Sequence, residues 1–255
     1  MIPSTELAGV RIDSVDLESA VVLIESAISD RSPMQIATVN LDFLVRAQRS
    51  AELRSVLNRC QLNVADGMPV VWLSRLTGRP LAGRTAGSDL IPMALGRLAA
   101  RGARVFLFGG ERAVALEAAR RLEEAYPGLV IAGHCEPPRA AIDRMPNRSI
   151  VRLIQAARPD VLLVALGNPK QELWIARHLA GLGVSVAIGV GCTLDLMAGK
   201  SRRAPRWMQN TGLEWLFRLA QEPRRLFMRY FVDTLWLARF AVLATQARLA
   251  ERGLA

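Results

Sequence analysis

The stretch VLLVALGNPKQELWIARHLAGL, residues 161–182, changes its hydrophobic period in the middle. Val161 to Ala165 is a short unbroken apolar run of β type, whereas the residues after Glu172 carry apolar side chains at helical spacing. Between the two lies LGNPKQE, residues 166–172. Asn168 is a preferred N-cap, Pro169 suits the first helical position, and Gln171 falls three residues after the cap, where its amide can return to the cap's backbone N–H. The junction therefore reads as strand, loop and helix. It has two meanings: a helix start, or a ligand site of the kind found outside the carboxyl ends of strands, where free helix N–H groups attract anions.

The same alternation extends outward in both directions. GVRI precedes a helix from about Leu17; QIATVN precedes LDFLVRAQRSAELRSVL; QLNVA precedes MPVVWLSRLTG; RVFLFGG precedes ERAVALEAARRLEEAYPG. LVIAGH, a helix around RSIVRLIQAAR, and VSVAIGVG complete the series. Such alternation predicts an α/β fold with a mostly parallel, Rossmann-like sheet covered by helices. It stops near Thr193, so residues 1–195 are expected to form the principal domain and 196–255 a basic, amphipathic helical appendage.

Composition narrows the function classes. With 51% apolar and 22% charged residues the 255-residue chain is globular, and no run of eighteen uncharged apolar residues marks a membrane span. The first residues lack a basic region followed by a long apolar core, so a cytoplasmic location is expected. Cys60, Cys135 and Cys192 are odd in number and widely spaced, which argues for buried thiols rather than disulfides or a zinc site. His134 and His178 belong to no catalytic constellation. Of the 33 basic residues all but Lys170 and Lys200 are arginine, and the net charge is +10. Arginine forks suit phosphate, so nucleic acid, anionic lipid and diphosphates are candidate partners, against the plain alternative of an arginine-rich codon bias.

Several polar groups fall at strand ends: Thr38 and Asn40, Asp66, Gly109 and Gly110, Gln171, and Asp195. Singly each has a structural explanation, because Asn40 suits a cap, Asp66–Gly67 a turn and Gly109–Gly110 a helix entry. Their shared location raises the functional reading. GGERAV lacks the third glycine of G-x-G-x-x-G, and GVGCTLD continues it poorly; neither a G-x-x-x-x-G-K-[ST] loop nor a D-x-D pair occurs. A dinucleotide cofactor, a P-loop and a D-x-D metal site are thereby disfavoured, and no cofactor is expected.

The segments TVN, ADGMPVVW, GRTAGSDLI, FLFGG, GNPKQE and GVGCTLDLMAGKSRRAPRWMQNTGLEWLFRLAQEPRRL, in this order and spacing, resemble the WecG/TagA/CpsF family of bacterial glycosyltransferases (glycosyltransferase family 26) over nearly the whole chain. The resemblance implies an inverting enzyme with a Rossmann-like core and a C-terminal appendage. It would move a hexose-type sugar from a UDP-sugar to a polyprenyl-diphosphate-linked saccharide at the cytoplasmic membrane face, in cell-surface or exopolysaccharide synthesis. It places the general base at Asp66, active-site polar groups at Thr38 and Asn40, and further catalytic side chains at Arg84 and Gln171. Val39 and Ala86 depart from the family pattern without touching a reacting group. The donor sugar, whether N-acetylmannosamine, its uronic acid or glucose, is left open.

Without D-x-D, stabilisation of the departing UDP would fall to Arg84, to helix N-termini and to appendage arginines, which predicts a metal-independent transfer. At about 100° per residue Arg218, Arg225 and Arg229 share one helical face and Leu219, Leu226, Phe227 and Tyr230 another, with Pro223 breaking or starting a helix between them. With Trp207, Trp215, Phe231 and Trp236 nearby, this predicts docking on a membrane surface, with Arg224 and Arg225 as candidates for the acceptor's diphosphate. An ordinary amphipathic helix packed on the core is the plain alternative. Apolar surface at the start of the appendage could support a homo-oligomer. A non-catalytic membrane scaffold would leave Asp66, Arg84 and Gln171 without purpose, and a nucleic-acid-binding protein would lack a recognition motif.

Overall fold

The computed structural model describes residues 2–253; Met1, Leu254 and Ala255, at the outer ends of the two expected segments, lie outside the described residues. The chain opens with an antiparallel hairpin of β1 (Ser4–Leu7) and β2 (Val10–Asp13). There follow α1 (Leu17–Ser29), β3 (Met34–Val39), α2 (Leu41–Arg49), α3 (Ala51–Arg59), β4 (Leu62–Ala65), α4 (Met68–Leu76) and α5 (Gly87–Ala99). Next come β5 (Arg104–Gly109), α6 (Arg112–Ala125), β6 (Val130–Cys135), α7 (Asn147–Ala157), β7 (Val161–Ala165), α8 (Lys170–Leu182) and β8 (Val186–Gly189). Strands β3 to β8 form one six-stranded parallel sheet in the order β4-β3-β8-β7-β5-β6.

GVRI is a strand, yet it belongs to the separate hairpin rather than to the parallel sheet. The physical reason lies at the sheet edge. The hairpin packs beside β4, where the backbone N–H of Asn63 donates to the Asp13 carboxylate (2.8 Å) and its side-chain amide donates to the carbonyls of Arg11 (2.9 Å) and Leu57 (2.7 Å). Polar groups on an edge strand are thus satisfied without a further parallel partner.

Helices cover both faces of the sheet. On one, Ala20, Val21 and Ile24 of α1 and Leu90, Ile91 and Leu98 of α5 pack with Val105 and Leu107. On the other, Trp174 and Ile175 of α8 join Phe106, Phe108 and Ile154 of α7, while Phe43, Leu44, Leu53 and Val71 cover β3 and β4. Burial of this apolar surface is the main favourable term holding the layers together.

After β8 no strand follows among the described residues. The chain continues as α9 (Thr193–Met197), α10 (Arg206–Asn210), α11 (Glu214–Gln221) and α12 (Pro223–Gly253). Pro223 begins α12, a position where its missing N–H costs nothing. Buried Leu226 and half-buried Trp236, Leu237 and Phe240 bring α12 onto the core beside α2 and α4. Among the described residues, no helix is long and apolar enough to cross a membrane.

Helix α8 does not begin with the expected capping box. Pro169 occupies the cap position, no side chain caps the helix, and the Asn168–Pro169 peptide is cis. The Asn168 amide instead donates to the buried carboxylate of Asp42 (2.9 Å), and the Gln171 side-chain oxygen accepts from Gly167 N–H (3.1 Å). Satisfying a buried carboxylate outweighs a cap that water could replace.

Candidate active site

In this strand order β3 and β8 are neighbours although far apart in sequence, and the chain leaves β3 towards β4 on one side while β8 and β7 lie on the other. Crevices for ligands form at the carboxyl ends of strands where the order reverses in this way. A cavity of about 350 Å³ lies there, between these strand ends and the last two helices. Its core wall includes Asn40 after β3, Asp66 after β4, Arg84 in the loop before α5 and Cys192 after β8; its other wall includes Arg218, Arg225, Arg229 and Tyr230.

Backbone contacts fix the core wall. The Asp66 N–H donates to the Val39 carbonyl (2.9 Å) at the end of the β3–β4 ladder. Gly67 then turns the chain with φ +116°, a conformation that side chains disfavour, so that α4 starts immediately beneath Asp66. Arg84 is brought alongside by Thr85, whose N–H donates to the Ala65 carbonyl (2.8 Å) and whose hydroxyl donates to Val15 (2.9 Å). Asn40 both lines the cavity and caps α2, its side-chain oxygen accepting from Phe43 N–H at 3.3 Å.

Asp66 keeps some accessible surface on the cavity side but is otherwise enclosed by protein, and burial pushes its carboxyl up to about 6. The Arg218 and Arg84 guanidinium groups pull the other way, while Glu214 and Asp89 add to the rise. A carboxylate poised near the pH of the cell suits proton abstraction. Around it runs a network of ion pairs. Arg84 donates to Asp89 (3.0 Å) and to Glu214 (3.1 Å), Arg203 makes two bonds to Asp89, and Arg218 lies 3.5 Å from Glu214. Arg218 also donates to the Cys192 sulfur at 3.1 Å. Further along, the buried carboxylate of Asp42 accepts from Arg46 (2.8 Å) and Asn168 (2.9 Å) and pairs with Arg229 (3.2 Å), which ties α12 to α2.

Of the side chains singled out from the sequence, Asn40, Asp66, Arg84, Arg218, Arg225 and Arg229 share the cavity. Gln171, Thr38, Gly109, Gly110, Asp195 and Arg224 do not line it. Gln171 is 3% exposed and turned inward, its amide donating to Glu172 (2.8 Å) and its flank packed on Gly189. Thr38 is buried beneath Gly87 of α5. Gly109 has φ +101° and lies so close to the Ala165 carbonyl that an added Cβ would sit 2.5 Å from its oxygen, so backbone packing between β5 and β7 already demands glycine there. Gly110 N–H donates to that same carbonyl. Asp195 is outside the cavity, 3.8 Å from Lys200, and Arg224 is exposed. The thiols are not uniformly buried: Cys60 is, whereas Cys135 and Cys192 are half-buried, and Cys192 reaches the cavity because it follows the carboxyl end of β8.

The sequence reading missed Glu214, Asp89, Arg203 and Asp42. Asp89 stands in GRTAGSDLI, close enough to Arg84 in sequence for a local search for a neutralising carboxylate to find it, whereas Glu214 is distant in sequence and leaves no such signal. The appendage does not divide into the two expected faces: Leu226 and Tyr230 of the expected apolar face line the cavity together with Arg218, Arg225 and Arg229, and Trp236 packs on the core, while Phe227 (58% exposed), Met228 (64%) and Phe231 (52%) turn outward.

A helix-covered parallel sheet with a carboxylate among arginines at its strand ends defines a class, the open α/β proteins, whose ligand crevices lie at the carboxyl edge. Residues 5–253 match the model of the glycosyl transferase WecG/TagA/CpsF family, and the chain belongs to that family. It is similar to the N-acetylglucosaminyldiphosphoundecaprenol N-acetyl-beta-D-mannosaminyltransferases of Bacillus spizizenii (32% identical, covering 84% of this chain and 83% of that protein) and Bacillus subtilis (34%, covering 74% and 72%). The like-named enzyme of Staphylococcus aureus is 29% identical, covering 87% of this chain and 86% of its own.

Proposed function

We propose that the chain transfers an N-acetylmannosamine-type sugar from a UDP-sugar to an N-acetylglucosaminyl-diphospho-polyprenol acceptor with inversion. The acceptor and sugar follow the names of its relatives. The observation that carries the reading is the placing of Asp66, raised to about 6, beside Arg84 and Arg218 at the carboxyl ends of β3, β4 and β8.

Asp66 takes the proton of the acceptor hydroxyl as its oxygen bonds to the anomeric carbon. The bond from that carbon to the UDP oxygen breaks, and UDP leaves with the electron pair. Arg84 and Arg218, with fixed donors in a partly water-excluded cavity, neutralise the charge that develops on the diphosphate. These cations supply the charge that a metal would otherwise bring, so the reaction is proposed to be metal-independent. Gln171 acts at a distance, since its oxygen holds the Gly167 N–H and so shapes the loop between β7 and α8. The outward row of Phe227, Met228 and Phe231 supports contact with a membrane surface, which would bring the cavity to a lipid-linked acceptor.

The test is incubation of the protein with UDP-N-acetylmannosamine and a short-chain N-acetylglucosaminyl-diphospho-polyprenol, with products followed by mass spectrometry. A disaccharide product insensitive to EDTA supports the reading. Absence of product with this donor, and appearance of one with another UDP-sugar, would correct the donor alone.

A further inference from the structure

Glu214 is the first residue of α11, and its carboxylate touches arginines of both cavity walls. One oxygen lies 3.1 Å from Arg84 of the core; the other lies 3.5 Å from Arg218 of the appendage and 4.0 Å from Nε of Arg203. The side chain is 18% exposed, and Arg84 is 15% exposed. A carboxylate offering two oxygens to guanidinium forks presents the same acceptor pattern as a pair of phosphate oxygens. Arg203 adds an independent sign that the cluster has donor capacity to spare: its Nε is buried and has no hydrogen-bond partner, although its other nitrogens hold Asp89.

Resting on the reading of this cavity as a diphosphate site, we propose that Glu214 is a positioning residue that holds Arg84 and Arg218 in a shared fork and must be displaced by the diphosphate that takes its place. The charges decide the sign of its effect. Two nearby arginines attract a diphosphate, and a carboxylate among them both competes for the donors and repels the incoming charge. Displacing it also releases the contact between Arg84 and α11, so arrival of the diphosphate loosens one tie between core and appendage while adding its own bridge between the same arginines. Glu214 is thus a weak internal substitute whose removal strengthens anion binding.

A structural role predicts otherwise. An acid in the first turn of a helix favours that helix through its dipole, and a purely structural Glu214 would lower stability when neutralised and leave anion affinity unchanged or weaker. The experiment is calorimetric titration of the full chain with inorganic pyrophosphate and with UDP, alongside thermal unfolding, for wild type, Glu214→Gln, Glu214→Asp and Arg84→Gln. The proposal expects Glu214→Gln to bind pyrophosphate about fivefold or more tighter than wild type, Glu214→Asp to stay at or below wild-type affinity, and Arg84→Gln to lose binding. Unchanged or weaker binding by a folded Glu214→Gln protein, while Arg84→Gln still loses binding, would overturn the proposal and leave the diphosphate site standing. Absence of binding in wild type and all variants would overturn both together.

Discussion

The two walls of the cavity are built by different means. On the core wall each functional group follows a strand by one or two residues or is pinned to a strand end by backbone hydrogen bonds, as Thr85 pins Arg84 to Ala65. On the appendage wall the groups are the tips of long side chains, Arg218, Arg225 and Arg229, which are 35%, 61% and 34% exposed and held by ion pairs. Backbone placement costs little further entropy, whereas ordering an arginine tip costs rotamer freedom that its ion pairs must offset. The core wall is therefore suited to hold the reacting groups at fixed geometry, and the appendage wall to bring charge that rearranges when a ligand arrives.

The largest effect should come from the core wall. Asp66→Asn keeps size and removes the base, so transfer should fall by roughly 10²–10⁴-fold with little change in thermal unfolding. In wild type the rate should rise with pH through about 6, because the carboxyl must be ionised to act and burial holds it there against Arg218 and Arg84, with Glu214 and Asp89 adding to the rise. A rate profile flat between pH 5 and 7.5 would break the contrast, since the core wall would then hold no titrating base.

A smaller effect is expected from the appendage wall. Arg218→Gln should lower transfer by roughly 10–100-fold through lost stabilisation of the diphosphate, and the loss should diminish at high salt because the wild type is itself screened there. If Arg218→Gln matched Asp66→Asn in severity at every salt concentration, the two walls would be equally rigid.

The same contrast explains what could be read from sequence. The parallel sheet was legible because apolar β runs alternate with helical periods, and Asn40 and Asp66 were legible because each directly follows a strand, whereas Arg84, in the loop before α5, was indicated only by the family resemblance. Helix α5 was not read: it starts at a glycine, has no side-chain cap and carries Pro92 inside. The short run STEL gave no period long enough to mark β1. Glu214 and Asp42 escaped because their roles depend on contacts across more than 120 positions, Arg84 to Glu214 and Asp42 to Asn168, and such pairings leave no local pattern. Gly109 and Gly110 looked like ligand-binding glycines because close backbone packing and ligand approach demand the same residue.

Docking of the appendage gives the third test. Asp42 gathers Arg46, Asn168 and Arg229, so Asp42→Ala strands an amide and two guanidinium groups. With both arginines partly solvated, the cost should be about 1–3 kcal/mol, read by thermal unfolding, and proteolysis should cut α12 faster than the core. Equal protection of α12 in the variant would show that Trp236, Leu237 and Phe240 alone hold the helix down.

The smallest effect concerns Glu172, which lies beneath the site rather than in it. It is 1% exposed, one oxygen accepts from Gln171 and the other has no hydrogen-bond partner. Burial pushes its carboxyl up to about 8, with the Gln171 bond opposing the shift and the Asp42 charge adding to it. A carboxyl whose folded value lies above its unfolded value near 4.5 binds more protons when folded. Its contribution is therefore present in full at acid pH, below the unfolded value, and is lost as pH rises towards about 8. Glu172→Gln preserves the shape and cannot ionise, so its melting temperature should decline less than that of wild type between pH 5 and pH 8.5, by a few degrees across that window. Parallel melting curves for the two proteins would mean that Glu172 ionises freely, and that the floor beneath Gln171 is wetter than its packing against Gly189 implies.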